Sequence, residues 1–297
     1  MKKTFKWIGI VLGSLIGLLL ALALVFLIMG NMRMNKSYEF PADNVTILTD
    51  ETSIERGRHI AETTCAQCHG KDLGGVDGWF KMEGIADIDT SNLTTGSGGV
   101  GSVYTSDADY VRAIRHGVGA DGKPTFMSSV LAYQNMSDKD LGAVIAYLKV
   151  APPVERATEG SFDVMGLIIF GAGLFGNLPV EDVSHAANVT APEAGVSLEY
   201  GQYLTELGNC FSCHGADYAG GAFPDPAIKL PVPNITPAGN IGSWTEEEFI
   251  TTMRTGVTPE GKPLVPTLMP FGAIGKMSDD ELKAVYLFLK SLPVVEK

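Results

Sequence analysis

A chain of 297 residues, 45% hydrophobic and 19% charged, has the composition of folded protein and the length of about two domains. Its 34 acidic side chains outnumber 22 basic ones, for a formal charge of −12. Five of the cations precede Glu39, the first acidic residue, so residues 37–297 set 17 basic side chains against all 34 acidic ones. That balance excludes nucleic acid as a partner and serves either a basic redox protein at low salt or solubility alone.

The first predicted element is N-terminal. Lys2, Lys3 and Lys6 lead into an apolar run over residues 7–30, broken only by Ser14 and closed by Arg33 and Lys36. At 1.5 Å per residue the run covers about 36 Å, enough for a hydrocarbon core of roughly 30 Å. Ala21-Leu22-Ala23 resembles a cleavage site, but the run continues through Met29 and outlasts the apolar region of a signal peptide, about 7–15 residues. A retained transmembrane helix over residues 1–36 is expected. The three lysines and the amino terminus outweigh Arg33 and Lys36, placing the N-terminus inside and the rest of the chain on the periplasmic side.

Two pentapeptides carry the chemistry: Cys65-Ala66-Gln67-Cys68-His69 and Cys210-Phe211-Ser212-Cys213-His214. Both read C-x-x-C-H, the c-type haem attachment pattern. Two thiols three positions apart can each add to one vinyl group of a single porphyrin. The histidine that follows then reaches the iron. C-x-x-C alone also suits a redox dithiol or half a zinc site. Here both pairs are completed by histidine, and four cysteines in all leave no thiol for a zinc ligand elsewhere or for a disulfide. The pattern implies two covalently attached haem c groups, held by Cys65 and Cys68 and by Cys210 and Cys213, with His69 and His214 on the irons. Such attachment occurs outside the bacterial inner membrane, in keeping with the orientation above.

An internal repeat surrounds the motifs. Gly57 precedes Cys65 much as Gly201 precedes Cys210. Asn92-Leu93-Thr94 matches Asn234-Ile235-Thr236, and Arg115-His116-Gly117-Val118 matches Arg254-Thr255-Gly256-Val257. Gly122-Lys123-Pro124 matches Gly261-Lys262-Pro263, and Met136-Ser137-Asp138 matches Met277-Ser278-Asp279. Each copy holds three predicted helices. The first, over 54–64 and 198–207, delivers the chain to the cysteines. The second opens with Ser106 and Asp109, or Thr245 and Glu248; the third opens with Ser137 and Asp140, or Ser278 and Glu281. All four pairs are capping-box patterns. No alternating strand pattern of useful length occurs. The expected domains are residues 37–150 and 196–297. Between them, 151–195 is a linker whose apolar run 164–176 is too short to span a bilayer. It is expected as a helix packed between the domains, or else against the membrane or a partner.

Each copy resembles a class I cytochrome c domain, and the whole chain resembles membrane-anchored dihaem cytochromes c, including the cytochrome subunits of periplasmic dehydrogenases. The resemblance covers roughly residues 51–150 and 196–297. It implies a mainly α fold: an N-terminal transmembrane helix, then two tandem helical domains, each built around one haem. It implies that the first and last helices of each domain cross at Gly57 with Tyr147 and at Gly201 with Phe288. It places the sixth iron ligands at Met127 and Met269, in the loops before the last helices; methionine ligation raises a haem potential. Met269-Pro270 keeps the family pattern, whereas Met127 is followed by Ser128. Met136 and Met277 are expected to pack, and His59, His116 and His185 to lie on the surface. Arg115, Arg254 and Trp244, with Tyr104, fall where the family contacts haem propionates. The family orients its histidine with a carbonyl from a proline-rich loop. Pro224, Pro226, Pro231 and Pro233 are available in copy two, while copy one has no proline between His69 and Pro124 and needs another carbonyl.

The expected function is a membrane-tethered relay of single electrons on the outer face of the cytoplasmic membrane. Its partners would be a membrane dehydrogenase, an oxidase or quinol-oxidising complex, and a basic soluble cytochrome. The rival is a dihaem oxidoreductase of peroxidase or thiosulfate dehydrogenase type, with an open iron in the first domain.

Overall fold

The computed structural model describes residues 2–40, 43–127, 129–223 and 228–296. Ser128, Pro224 and Pro226 lie outside the described residues. The principal helices are α1 (Lys2–Met34), α2 (Glu51–Ile60), α3 (Asp107–Val111), α4 (Asp138–Leu148), α5 (Val164–Gly171), α6 (Leu198–Leu207), α7 (Glu246–Thr255) and α8 (Asp279–Ser291). The architecture is mainly α, an apolar N-terminal helix followed by two tandem units, as the sequence implies.

Polar caps set the helix starts. Asp50 accepts the Ser53 N–H at 3.0 Å and begins α2 three residues ahead of the expected Ile54. Ser106, Ser137, Thr245 and Ser278 open α3, α4, α7 and α8, and Asp109, Glu248 and Glu281 complete reciprocal capping boxes. The two copies approach their cysteines differently. Eight residues separate Gly57 from Cys65, and α2 runs on through a π-helical turn, Ala61–Cys65. Copy two has one residue more. It breaks the helix at Asn209, in the left-handed region at φ 56°, and restarts at Cys210–His214.

In each unit the first and last helices touch backbone to backbone. A Cβ at Gly57 would stand 1.9 Å from the Ala143 carbonyl oxygen and 3.0 Å from Tyr147 Cβ. At Gly201 the same atom would stand 2.0 Å from the Ala284 oxygen and 2.9 Å from Phe288 Cβ. The repeated asparagine motif closes each unit from the other side. Asn92 Nδ2 donates to the carbonyls of Val154 and Arg156 at 2.7 and 3.1 Å, and Asn234 Nδ2 to that of Val295 at 2.7 Å. Each clamps the chain that leaves the last helix.

Short strands also occur. β1 (Phe80–Met82), β2 (Ala86–Ile88) and β3 (Gly160–Phe162) form an antiparallel sheet in that order, with Phe80 opposite Ile88 and Ala86 opposite Phe162. Strands of three residues are too short to display alternation, so no pattern announces them. The run 164–176, expected between the units, is placed otherwise. Its helix α5 packs on the far end of α1, because glycines on both helices let the backbones meet.

One apolar cluster runs through both units, from Ile60, Leu141 and Ile145 to Leu204, Leu282 and Leu289. A polar network crosses their boundary. Arg56 donates to Asp140 Oδ1 at 3.0 Å, Glu281 Oε1 at 3.1 Å and Tyr200 Oη at 3.3 Å. Tyr203 Oη donates to Asp140 Oδ2 at 2.7 Å. His59, expected on the surface, instead meets Glu281 Oε2 at 2.7 Å. Burial raises the Glu281 carboxyl, but the His59 hydrogen bond, the Ser278 N–H and the Arg56 charge outweigh it and hold the group at about 2.

Two outcomes follow. Gly201→Ala forces a methyl group into the Ala284 carbonyl, where neither backbone can yield. It should cost about 3 kcal/mol, the upper end of overpacking penalties, read as a lower unfolding midpoint. Because Glu281 is depressed from its ordinary 4.5 to about 2, its contribution is complete above about 4.5 and drains away as pH falls towards 2. Glu281→Gln should cost about 2 kcal/mol at neutral pH, the worth of hydrogen bonds to a charged group, and almost nothing at pH 2. A loss independent of pH would remove the charge from this account.

Candidate haem-binding sites

A single helical turn presents each cysteine pair. Cys65 ends the π turn and Cys68 lies in the turn Ala66–His69; Cys210 and Cys213 share Cys210–His214. Positions three apart on a helix face the same way. None of the four is in a disulfide. Burial pushes the Cys65 thiol up to about 11 and Cys210 to about 12, against a weaker lowering by the Thr64 hydroxyl at Cys65. Neither Cys65 nor Cys210 has the lowered thiol pKa of an activated redox dithiol.

The histidines are held for ligation. His69 Nδ1 lies 2.7 Å from the Ser91 carbonyl oxygen and His214 Nδ1 lies 2.9 Å from that of Pro233. A carbonyl can only accept, so Nδ1 carries the proton and Nε2 keeps its lone pair, the tautomer that binds iron. Burial lowers both pKa values, outweighing the carbonyl bonds that raise them, and the rings stay neutral. Pro233 is one of the four expected prolines. Ser91 stands at the matching place in copy one, just before Asn92 as Pro233 stands just before Asn234. The repeated Asn-x-Thr is thus the sequence signal that locates both carbonyls. Each Asn Oδ1 accepts the Thr N–H two residues on, at 2.9 Å for Thr94 and 2.8 Å for Thr236, which fixes the bend that aims the preceding carbonyl.

Met127 and Met269 are half-buried and pack against the same apolar cluster as Cys65 and Cys210. Their loops leave the second helix of each unit at a left-handed glycine, Gly117 or Gly256, and are pinned by matched bridges, Val118 to Pro124 and Val257 to Pro263. Met136 and Met277 are buried in the core, as expected of packing residues. Two thiols, an imidazole with a free Nε2 and a thioether recur in each unit, a donor set that fits haem c. Asn209 Oδ1, next to Cys210, and Thr125 Oγ1, two residues before Met127, are buried without a hydrogen-bond partner.

The three expected propionate contacts have other acceptors. Arg115 is fully buried. It donates to Asp43 Oδ2 and to the Met136 carbonyl, both at 2.8 Å, and pairs with Asp138 at 2.8 Å. Arg254 donates to the Gly275 carbonyl and, at 2.8 Å, to Asp279. Both arginines therefore brace the start of the last helix, α4 or α8. Trp244 Nε1 donates to Glu260 at 3.0 Å, and Tyr104 packs edge-on against Tyr110. His116 also departs from expectation: it is 2% exposed, not on the surface. Its Nδ1 lies 3.1 Å from His185 Nδ1, its Nε2 lies 3.3 Å from Asp43, and its ring stacks on Phe40. His185 is half-buried in the same cluster. With threonine as its repeat counterpart and partners drawn from distant segments, His116 gave no local sign of this.

Residues 52–148 match the family described as cytochrome c oxidase, cbb3-type, subunit III, and residues 198–293 match the family described as cytochrome c. The fructose dehydrogenase cytochrome subunit of Gluconobacter japonicus is 26% identical over 92% of this chain and 58% of its own length. The cytochrome c subunit of a quinone-dependent alcohol dehydrogenase from Gluconobacter oxydans is 34% identical over 31% of this chain and 20% of its own. A dihaem c-type cytochrome of Cereibacter sphaeroides is 27% identical over 84% of this chain and 88% of its own. The chain thus spans less than two thirds of the length of the two dehydrogenase subunits. With a cytochrome c domain in each half, it is a dihaem cytochrome c carrying two covalently bound haem c groups. Among such proteins it resembles the cytochrome subunits of dehydrogenases.

The methionine assignments are open to spectroscopy. A sulfur–iron bond gives oxidised haem a weak charge-transfer band at the red end of the spectrum. Met269→Ala should remove one component, admit carbon monoxide at the second haem and lower one of the two potentials. Met127→Ala should do so at the first. A variant that retains the full band acquits that methionine.

Proposed function

We propose that this chain is a membrane-tethered relay, taking single electrons from a dehydrogenase partner and passing them on at the outer face of the cytoplasmic membrane. One observation carries the proposal: two cysteines, a histidine and a methionine recur in both units, and both units share one apolar core and one buried polar network. Haem c supplies one-electron redox chemistry. The residues of this chain that would hold its iron are His69 and Met127 in the first unit and His214 and Met269 in the second. The Ser91 and Pro233 carbonyls keep the imidazole protons on Nδ1. The shared interface holds the two centres in a fixed relation, as electron passage between them requires.

The relatives named as dehydrogenase cytochrome subunits favour a dehydrogenase as donor. The acidic surface favours a basic acceptor such as a soluble cytochrome, and an oxidase or quinol-oxidising complex would meet the same face. Helix α1 is 33 residues long, and its most apolar 18-residue window has a mean hydropathy of 2.9. The bonds at its far end favour a retained anchor over a discarded leader. Arg33 donates to the carbonyls of Phe170 and Gly176 at 3.0 Å and to Glu181 at 3.2 Å, and Gly30 is buried against α5.

The test uses full-length protein prepared from membranes. It should need detergent for extraction, retain its N-terminal helix, accept two electrons per chain, and in its native reduced form refuse carbon monoxide. Its reduction of a basic cytochrome should slow as salt rises. Stoichiometric carbon monoxide binding, or turnover of peroxide, would replace the relay with an oxidoreductase carrying an open iron. A soluble product starting near Leu24 would remove the tether while leaving the relay standing.

A further inference from the structure

We propose that residues 164–176 form a second membrane-inserted element, a helix and tight turn that enter the outer leaflet beside α1 and take lipid acyl chains as their remaining neighbours. The proposal rests on α1 being transmembrane. Helices α1 and α5 lie antiparallel with their backbones in contact. A Cβ at Gly30 would stand 2.1 Å from the Leu167 carbonyl oxygen, and one at Gly171 would stand 1.9 Å from that of Phe26. Small residues facing one another in this way let helices pack where hydrophobic burial supplies no drive.

Depth follows from that register. Gly30 closes the apolar run of α1 and Phe26 lies one turn inside it. Leu167 therefore meets α1 at the edge of the apolar layer, and Gly171 meets it about 6 Å deeper. The α1 residues of reduced exposure, Ala23, Phe26, Leu27 and Gly30, share one face and continue inward past that point. Beyond Gly171 the chain turns through Gly173-Leu174-Phe175-Gly176. Leu174 is 76% exposed and Phe175 40%, at the tip that lies deepest. No charged residue occurs between Asp163 and Glu181.

Three N–H groups of the turn are paired within the hairpin, which lowers the cost of placing it in lipid. Gly173 N–H donates to the Phe170 carbonyl, Leu174 N–H to that of Ile169 and Gly176 N–H to that of Gly173, at 3.0–3.1 Å. Arg33 joins both legs of the hairpin through Phe170 and Gly176, lies 4.4 Å over the Phe170 ring and pairs with Glu181. Its charge is neutralised by Glu181 and held by both carbonyls, while its stem covers apolar surface. If α1 spans the bilayer, whatever packs on residues 23–30 lies in the same layer. The uncovered faces of α5 and its turn then meet acyl chains.

The four native cysteines are consumed by haem, so one introduced cysteine can be labelled alone. Full-length holoprotein bearing a nitroxide at Leu174→Cys, Met165→Cys or Leu19→Cys is placed in vesicles of phosphatidylcholine and phosphatidylglycerol, with both irons reduced. Collision of each label with oxygen, which favours the acyl region, is compared with collision with a water-soluble nickel chelate. Position 174 should favour oxygen severalfold, as position 19 does, with position 165 shallower. Nickel preference at 174 beside oxygen preference at 19 places the hairpin in water and overturns the proposal, leaving the anchor intact. Nickel preference at all three defeats the transmembrane reading and the hairpin with it. Shielding of 174 from both reagents means a protein partner covers the turn, which also overturns it.

Discussion

The backbone contact between the first and last helix of each unit is the constraint on which the rest depends. With an added Cβ only 1.9–2.0 Å from a carbonyl oxygen, position 57 and position 201 admit no residue but glycine without parting the helices. The first helix of each pair ends at the haem cysteines, and the last follows the loop that carries the methionine. Their crossing therefore fixes how the cysteine-bearing turn and the methionine-bearing loop face one another. The arginines at 115 and 254 reinforce the arrangement from a third side by bonding the start of α4 and α8. Both terminal nitrogens of Arg254 serve that bracing, whereas Arg115 gives one to it and the other to Asp43.

Much of this was legible because it is written twice. The C-x-x-C-H pentapeptides, the four helix caps and the crossing glycines each recur at matched spacing, and repetition separates a structural requirement from chance. Part of what was missed has no second copy. His116 faces threonine in the repeat, and its partners Asp43, Phe40 and His185 come from segments on either side of the matched stretch 52–148 and meet only in the fold. The strands are too short for alternation to register. The apolar run 164–176 was visible as a helix, but its partner was not. Nothing in local sequence tells a glycine that fits between domains from one that fits Phe26 of a helix more than 140 residues earlier.

The extra residue before Cys210 shows how one geometry is reached by two backbones. Copy one keeps α2 continuous and takes up the difference in a π turn, where Thr63 and Thr64 hydroxyls donate back to Ile60 and spare its carbonyl. Copy two stops α6 at Gly208 and turns at Asn209, whose side chain tolerates the left-handed region. Both deliver a helical turn ending in histidine and a glycine at φ 80°.

The boundary between the units shows why the copies could not remain identical. Asp140 and Glu281 hold the same place, third in the last helix of each copy, and both are buried where the units meet. Two buried carboxylates brought close raise one another's cost unless something cationic stands between them. In copy two the facing residues of the first helix are Tyr200 and Tyr203, which donate hydrogen bonds but carry no charge. The matching residues of copy one are Arg56 and His59. Arg56 bridges both carboxylates and His59 takes the second oxygen of Glu281, while Tyr203 serves Asp140. Tyrosine at all four places would leave the pair without a cation. Arginine and histidine at all four would crowd two guanidinium groups into one boundary. The mixed set places one cation between the two carboxylates and gives each a further hydrogen bond, so this boundary closes between unlike halves and disfavours the pairing of two identical ones.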